Sequence, residues 1–161
     1  MNREYRTANS SSFPNLRSVG MLVPSEVSLY DTYLTVVDVE QVTGLKGVKQ
    51  IPFHPDRFLG SDLNFVAGDE CKILSVEFST ASHYKTYKDF VPKNFKAALD
   101  GIGEEAFVGP NIENQMPYLL VFRQGSYAVS LTAATTCDTQ RNRLTIDQLV
   151  RIGKIIAKRL I

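Results

Sequence analysis

Residues 118 to 133 alternate with a period of two on both sides of one glycine, and few folds accommodate that pattern. Tyr118, Leu120 and Phe122 alternate with Leu119, Val121 and Arg123. After Gln124-Gly125, the residues Tyr127, Val129, Leu131 and Ala133 alternate with Ala128, Ser130, Thr132 and Ala134. Such alternation marks a hairpin, spanning Pro117 to Ala134, with one buried face. A tight loop at Gln124-Gly125 sets Phe122 opposite Tyr127 and Leu120 opposite Val129. Moving the loop to Gly125-Ser126 keeps the same side chains inward, and Gly125 supplies the positive φ such loops need.

A helix over 146–160 closes the chain. Thr145 and Gln148 form a capping box, and Leu144 and Leu149 sit where a hydrophobic staple would. Ile146, Leu149, Val150, Gly153, Ile156, Ala157 and Leu160 fall on one face at helical spacing. Arg151, Lys154 and Lys158 lie opposite, with Arg159 beside them. Gly153 interrupts the apolar stripe. A mid-helix glycine costs up to about 1 kcal/mol against alanine, which a close approach of helix to sheet would explain.

Upstream, residues 1 to 17 read as a flexible polar arm, and 18 to 161 as a single domain. Ser18 to Val23 reads as a strand ended by Pro24. Thr35-Val36-Val37-Asp38 opens a helix that turns Val36, Val39 and Val42 inward and stops at Gly44. A strand from Val48 to Phe53 is cut short by Pro52 and Pro55. Leu63 to Val66 and Lys72 to Phe78 flank the turn residues Ala67-Gly68-Asp69-Glu70 and read as a second hairpin. Ser82 to Val91 reads as a helix with Tyr84, Tyr87 and Val91 on one side, and Lys93 to Leu99 adds another helical turn or two. Hairpins dominate, so the fold class is α+β: a mainly antiparallel sheet flanked by helices on one or both faces.

Composition narrows the function classes. Apolar content of 43%, charged content of 22% and net charge of +1 are ordinary for a globular chain and give no reason to expect a polyanionic partner. Nucleic acid is therefore a poor candidate. Basic residues concentrate in 138–161, where cations complement a helix C-terminus. No apolar run approaches a membrane span. Residues 1 to 12 contain no signal-peptide h-region. Two readings stay open: a cytoplasmic chain, or one from which an export signal has been removed. Cys71 and Cys137 have neither metal-site nor redox spacing. Strand parity puts Cys71 with Ile73 and Ser75, opposite Leu74, Val76 and Phe78, which favours two free thiols over a disulfide.

The chemistry-bearing patterns reduce to structure. Gly101-Ile102-Gly103-Glu104-Glu105-Ala106 matches a loose dinucleotide fingerprint. That motif needs a preceding strand and a following helix; here a helical stretch precedes it and a strand follows, so a turn is expected. His54-Pro55-Asp56 offers two ligands where a metal site needs three, and His83 lies in another element. A cysteine–histidine pair would define a small hydrolase or thiol enzyme, but nothing local lowers a thiol pKa. Tyr84-Lys85-Thr86-Tyr87-Lys88 mixes aromatics with lysines, yet its tyrosines have core spacing. Neither catalytic residues nor a cofactor or metal site emerge. What is left is loops that a rigid sheet could display: His54 and Asp56, Glu104 and Glu105, and Asn111, Asn114 and Gln115. Their polar side chains suit a small polar ligand or a protein surface.

Leu34-Thr35-Val36-Val37-Asp38-Val39-Glu40-Gln41-Val42-Thr43-Gly44 and Gly101-Ile102-Gly103-Glu104-Glu105-Ala106-Phe107, with the hairpin Leu119 to Leu131 and the final helix, resemble small bacterial lipoprotein domains of unknown function. Those domains are similar in architecture to the PsbP-like fold, an antiparallel sheet between helices. The resemblance spans roughly residues 34 to 161. It implies an exported or lipid-anchored, extracytoplasmic accessory or binding domain without shared catalytic residues. Two alternatives are a thiol or histidine enzyme, and a membrane-surface or nucleic-acid binder acting through Arg151, Lys154, Lys158 and Arg159.

Overall fold

The β-bulge at Ile73 shapes the first half of the sheet. In the computed structural model, which describes residues 30–51, 62–68, 71–91, 93, 96–110, 118–133 and 144–161, β2 (Leu63–Ala67) pairs antiparallel with β3 (Cys71–Thr80). Phe65 faces Leu74 but Val66 faces Lys72, so Ile73 is the extra residue. A bulge turns two successive side chains toward one face. Ile73 and Leu74 are accordingly both fully buried in the same core. Below the bulge the parity is inverted, and Cys71, opposite Ala67, joins the face of Leu74, Val76 and Phe78. The parity reasoning for two free thiols fails here. Cys71 is held in a disulfide, and no described cysteine is free. The chain has one other cysteine, Cys137, which lies outside the described residues.

Among the described residues, seven antiparallel strands form one sheet in the order β1-β2-β3-β7-β6-β5-β4. β1 is Lys49–Gln50, β4 Ala97–Leu99, β5 Glu105–Pro110, β6 Tyr118–Gln124 and β7 Tyr127–Thr132. The expected strand from Val48 survives as β1, continued by the Ile51 N–H donating to the Asn64 carbonyl at 2.8 Å. The β6–β7 loop is Gly125-Ser126, so Phe122 faces Val129 and Leu120 faces Leu131. Tyr127 pairs with Gln124 rather than Phe122, while the inward set is as expected. Residues 97–99, expected as helix, form an edge strand paired with β5. Alanine favours helix locally, and long-range pairing overrides that preference. The strand expected at Ser18 to Val23 and the arm at 1–17 lie outside the described residues.

Both sheet faces are covered. One face carries Leu63, Phe65, Leu74, Val76, Leu120, Phe122, Val129 and Leu131 under α1 (Val36–Thr43) and α3 (Ile146–Arg159). The other carries Phe107, Val121 and Ala128 under α2 (His83–Phe90), whose Tyr84 is buried and Tyr87 partly so. The result is a sheet between helices.

Local chemistry sets the starts of α1 and α3. α1 begins with a capping box: the Thr35 hydroxyl accepts from the Asp38 N–H at 3.3 Å and Asp38 accepts the Thr35 N–H at 2.8 Å. It ends at Gly44, φ 75°. Val39 and Val42 are buried, and Val36 packs partly against them. α3 begins with the Thr145–Gln148 box. Its buried face is Leu149, Ile152, Gly153, Ile156 and Ala157. Ile146, expected inward, is 38% exposed, and Ile152 takes its place. The stripe i, i+3, i+4, i+7, i+8 from Leu149 is the better match to helical geometry.

Candidate functional site

The strands next to the expected candidate segments lie apart in the sheet. The turn at 101–104 precedes β5, whereas Asn111, Asn114 and Gln115 follow its other end, six residues away and about 20 Å at strand rise. β1, after which His54 and Asp56 come, lies five strands from β5. At the usual strand spacing that is about 24 Å. His54, Asp56, Asn111, Asn114 and Gln115 themselves lie outside the described residues.

Glu104 and Glu105 are within the described residues, and their carboxylates are engaged. The Gly125 N–H donates to Glu104 Oε2 at 3.1 Å, and the Arg123 guanidinium donates to Glu104 Oε1. Lys88 of α2 donates to Glu105 Oε2 at 2.7 Å, and Arg123 Nη2 stands 3.9 Å from Glu105 Oε1. The backbone follows suit, with the Glu104 N–H on the Arg123 carbonyl at 2.8 Å. Ile102, 1% exposed, plugs the core beneath α3. Gly103, at φ +57°, passes so close to β6 that an added Cβ would stand 2.5 Å from the Arg123 carbonyl oxygen. The fingerprint-like segment is thus a turn between two strands, stapled to the β6–β7 loop.

The other expected groups are dispersed. His83 is exposed at the start of α2, with Nδ1 3.0 Å from the Thr80 hydroxyl. Cys71, in a disulfide, offers no thiolate. No group of three His, Cys, Asp or Glu side chains among the described residues could hold a metal ion, and no described helix is long and apolar enough to cross a membrane. Of the four cations on and beside the polar face of α3, Arg151 donates to the Val42 carbonyl at 3.4 Å. Arg159 makes a two-pronged bond to Asp38, at 2.6 and 3.0 Å. The Arg159 guanidinium holds the Asp38 carboxyl below the usual carboxylate range; burial opposes this and the Thr35 bonds add to it. These two arginines clamp α3 against both ends of α1.

Reading the sequence misses two polar features. Tyr30 stacks on Phe78, with ring centroids 4.2 Å apart and planes at 11°. Tyr127 meets both edge-on at 6.4 Å, and Tyr33 lies 5.8 Å from Phe78. Asp62 accepts the Phe78 N–H at 2.7 Å. Burial raises the Asp62 pKa, and burial together with the Asp62 charge raises that of Tyr30. The three tyrosines are half-buried, and a tyrosine joins an apolar ring to a polar hydroxyl. On the opposite face, the Tyr87 hydroxyl donates to Glu77 at 2.8 Å, and Ser75 donates to Asn64 at 3.0 Å. Burial and the Glu77 bond push the Tyr87 phenol up to about 12, leaving it a fixed donor. Tyr30 falls in a stretch without periodicity, so only its aromatic character could have flagged it.

No family model, curated protein or solved structure matches this chain.

Proposed function

We propose that the chain is a non-enzymatic binding or accessory domain of an exported or lipid-anchored bacterial protein, built on the PsbP-like plan of a sheet between helices. The observation that carries the binding reading is the half-buried cluster of Tyr30, Tyr33 and Tyr127 around Phe78, with Asp62 behind it. Tyrosines offer large contact area with few rotatable bonds, and perturbed carboxylates cluster at functional sites. A small polar ligand or a protein surface fits this chemistry better than a polyanion. The disulfide at Cys71 supports the compartment, because disulfides persist where the environment is oxidising. The carboxylates of Glu104 and Glu105 are spent on Arg123, Lys88 and Gly125, which weighs against acid–base catalysis there.

Two measurements test this reading. Thiols trapped by rapid acid quench and alkylation in the native host should show Cys71 oxidised; a fully reduced Cys71 overturns the export reading. Affinity capture from the host envelope, with the parent and with Tyr33→Ser and Tyr127→Ser variants of unchanged fold by circular dichroism, should lose at least one partner in the variants. Equal recovery of every partner removes the tyrosine cluster from the proposal.

A further inference from the structure

β4 ends the described sheet, and its sequence is unusual for an edge. Natural edge strands are blunted by a central lysine, a proline or a bulge, because their outward backbone groups otherwise template pairing. Here Ala97 and Ala98 are exposed and carry no charge, and Leu99 is half-buried. The nearest charges are Lys96, two residues before Ala98, and Asp100, two residues after. Ala98 faces Phe107, a residue of the α2-covered face. By strand alternation, Lys96 and Asp100 share that face with Ala98.

We propose that two copies of this chain associate through antiparallel β4–β4 pairing centred on Ala98. An isologous contact of this kind must be self-complementary, each residue meeting its counterpart under a two-fold axis. Centring on Ala98 sets Ala97 against Leu99 of the second copy. The same register sets Lys96 against Asp100 of the second copy, twice, on one face of a continuous sheet of fourteen strands, the seven here doubled. Directly opposed unlike charges favour a strand pair and like charges oppose it. A centre moved by one residue loses this match: about Leu99, Lys96 would meet Ile102, which is buried in the core. In one copy alone the Lys96 ammonium rests on the Lys88 carbonyl and 5.9 Å from the Phe107 ring centroid. The ammonium thus sits inward over β5, and meeting Asp100 of the second copy requires this flexible side chain to swing to the open edge of β4. A short strand pair buries little surface, so the association is weak and concentration-dependent. This inference is independent of the ligand and compartment proposed above.

Sedimentation equilibrium of the whole chain over a wide concentration range tests it. The parent should show a monomer–dimer equilibrium. Lys96→Asp alone, and Asp100→Lys alone, should each weaken it about tenfold, since two attractions become two repulsions. The double variant should restore it, and an equimolar mixture of the two single variants should form the heterodimer. Ala98→Pro, which removes a backbone donor at the centre, should abolish dimerisation while a thermal melt reports whether the monomer is folded. A parent that stays monomeric at every concentration overturns the proposal. So does a dimer indifferent to both single reversals, which would place the contact elsewhere.

Discussion

Gly103 and Gly125 have the same backbone conformation in different surroundings, and this pair isolates a steric effect. Their φ values are 57° and 59°. Alanine in the left-handed region costs roughly 1–2 kcal/mol wherever it sits. A Cβ at Gly125 meets nothing within 4 Å, so Gly125→Ala should cost that amount alone. A Cβ at Gly103 would stand 2.5 Å from the Arg123 carbonyl oxygen and 3.1 Å from Phe122 Cδ2. The carbonyl cannot retreat without loosening its bond from the Glu104 N–H, worth about 1 kcal/mol. Phe122 is fully buried, and overpacking a filled core costs about 1–3 kcal/mol. Gly103→Ala should therefore be about 2 kcal/mol worse than Gly125→Ala. For a chain of this size that separates their midpoints by about 4–8 °C. Urea titration and thermal melts, both without reductant, measure it. Gly101→Ala, with φ +83° and only the flexible Lys154 chain at 3.9 Å, should behave like Gly125→Ala. Equal losses at 103 and 125, within about 0.5 kcal/mol, would refute the close approach of this turn to β6.

Two further outcomes are expected. The carboxyl of Asp38 is held low in the folded state by Arg159. Its contribution is present above the unfolded carboxylate value of about 3.9 and is lost as pH falls through the folded pKa. Asp38→Asn should cost about 1–2 kcal/mol at neutral pH, discounted because Arg159 is 40% exposed. As pH falls below about 4 the gap between variant and parent should narrow, closing only beneath the lowered folded pKa of Asp38. Asp62, raised by burial, works in the opposite direction, so only the difference between the two urea-titration curves reports Asp38. At Gly153 an added Cβ would meet Leu120 at 3.4 Å and Ile102 at 3.6 Å, ordinary contacts. Gly153→Ala should stabilise by up to about 1 kcal/mol from helix propensity, whereas Gly153→Leu should destabilise by about 1–3 kcal/mol. Urea midpoints for both variants check this, and a loss on Gly153→Ala would mean that α3 sits closer than described.

The parts of the fold legible in the sequence are those specified by local chemistry. Thr35 with Asp38 and Gly44, Thr145 with Gln148, and the alternation around Gly125 each carry their own signal, and each element lies where it was expected. Parts decided at long range were not legible. Ala97 to Leu99 has no pattern of its own and becomes a strand because β5 is there to pair with it. The extra residue at Ile73 leaves no mark in composition, yet it inverts the parity on which the cysteine reading rested. Arg151 and Arg159 look like solvated charges until α1 lies beside them. The site was least legible. Tyr30, Asp62, Phe78 and Tyr127 come from four separate segments, and only the sheet brings them together.

The seam between β3 and β7 also bears on how the chain is made. Every other neighbour pair among β2 to β7 joins strands close in sequence, but at this seam Ser79 bonds to Ala128, 49 residues later. Closing so long a loop is the slow step that topology imposes. At roughly 5–20 residues per second of synthesis, β3 waits about 2–10 s for its partner. Throughout that interval, the edge from Ser75 to Thr80 stands open at what will become the middle of the sheet. A nascent chain stalled between residues 80 and 127 should be this protein's most aggregation-prone species, and the one most in need of a chaperone.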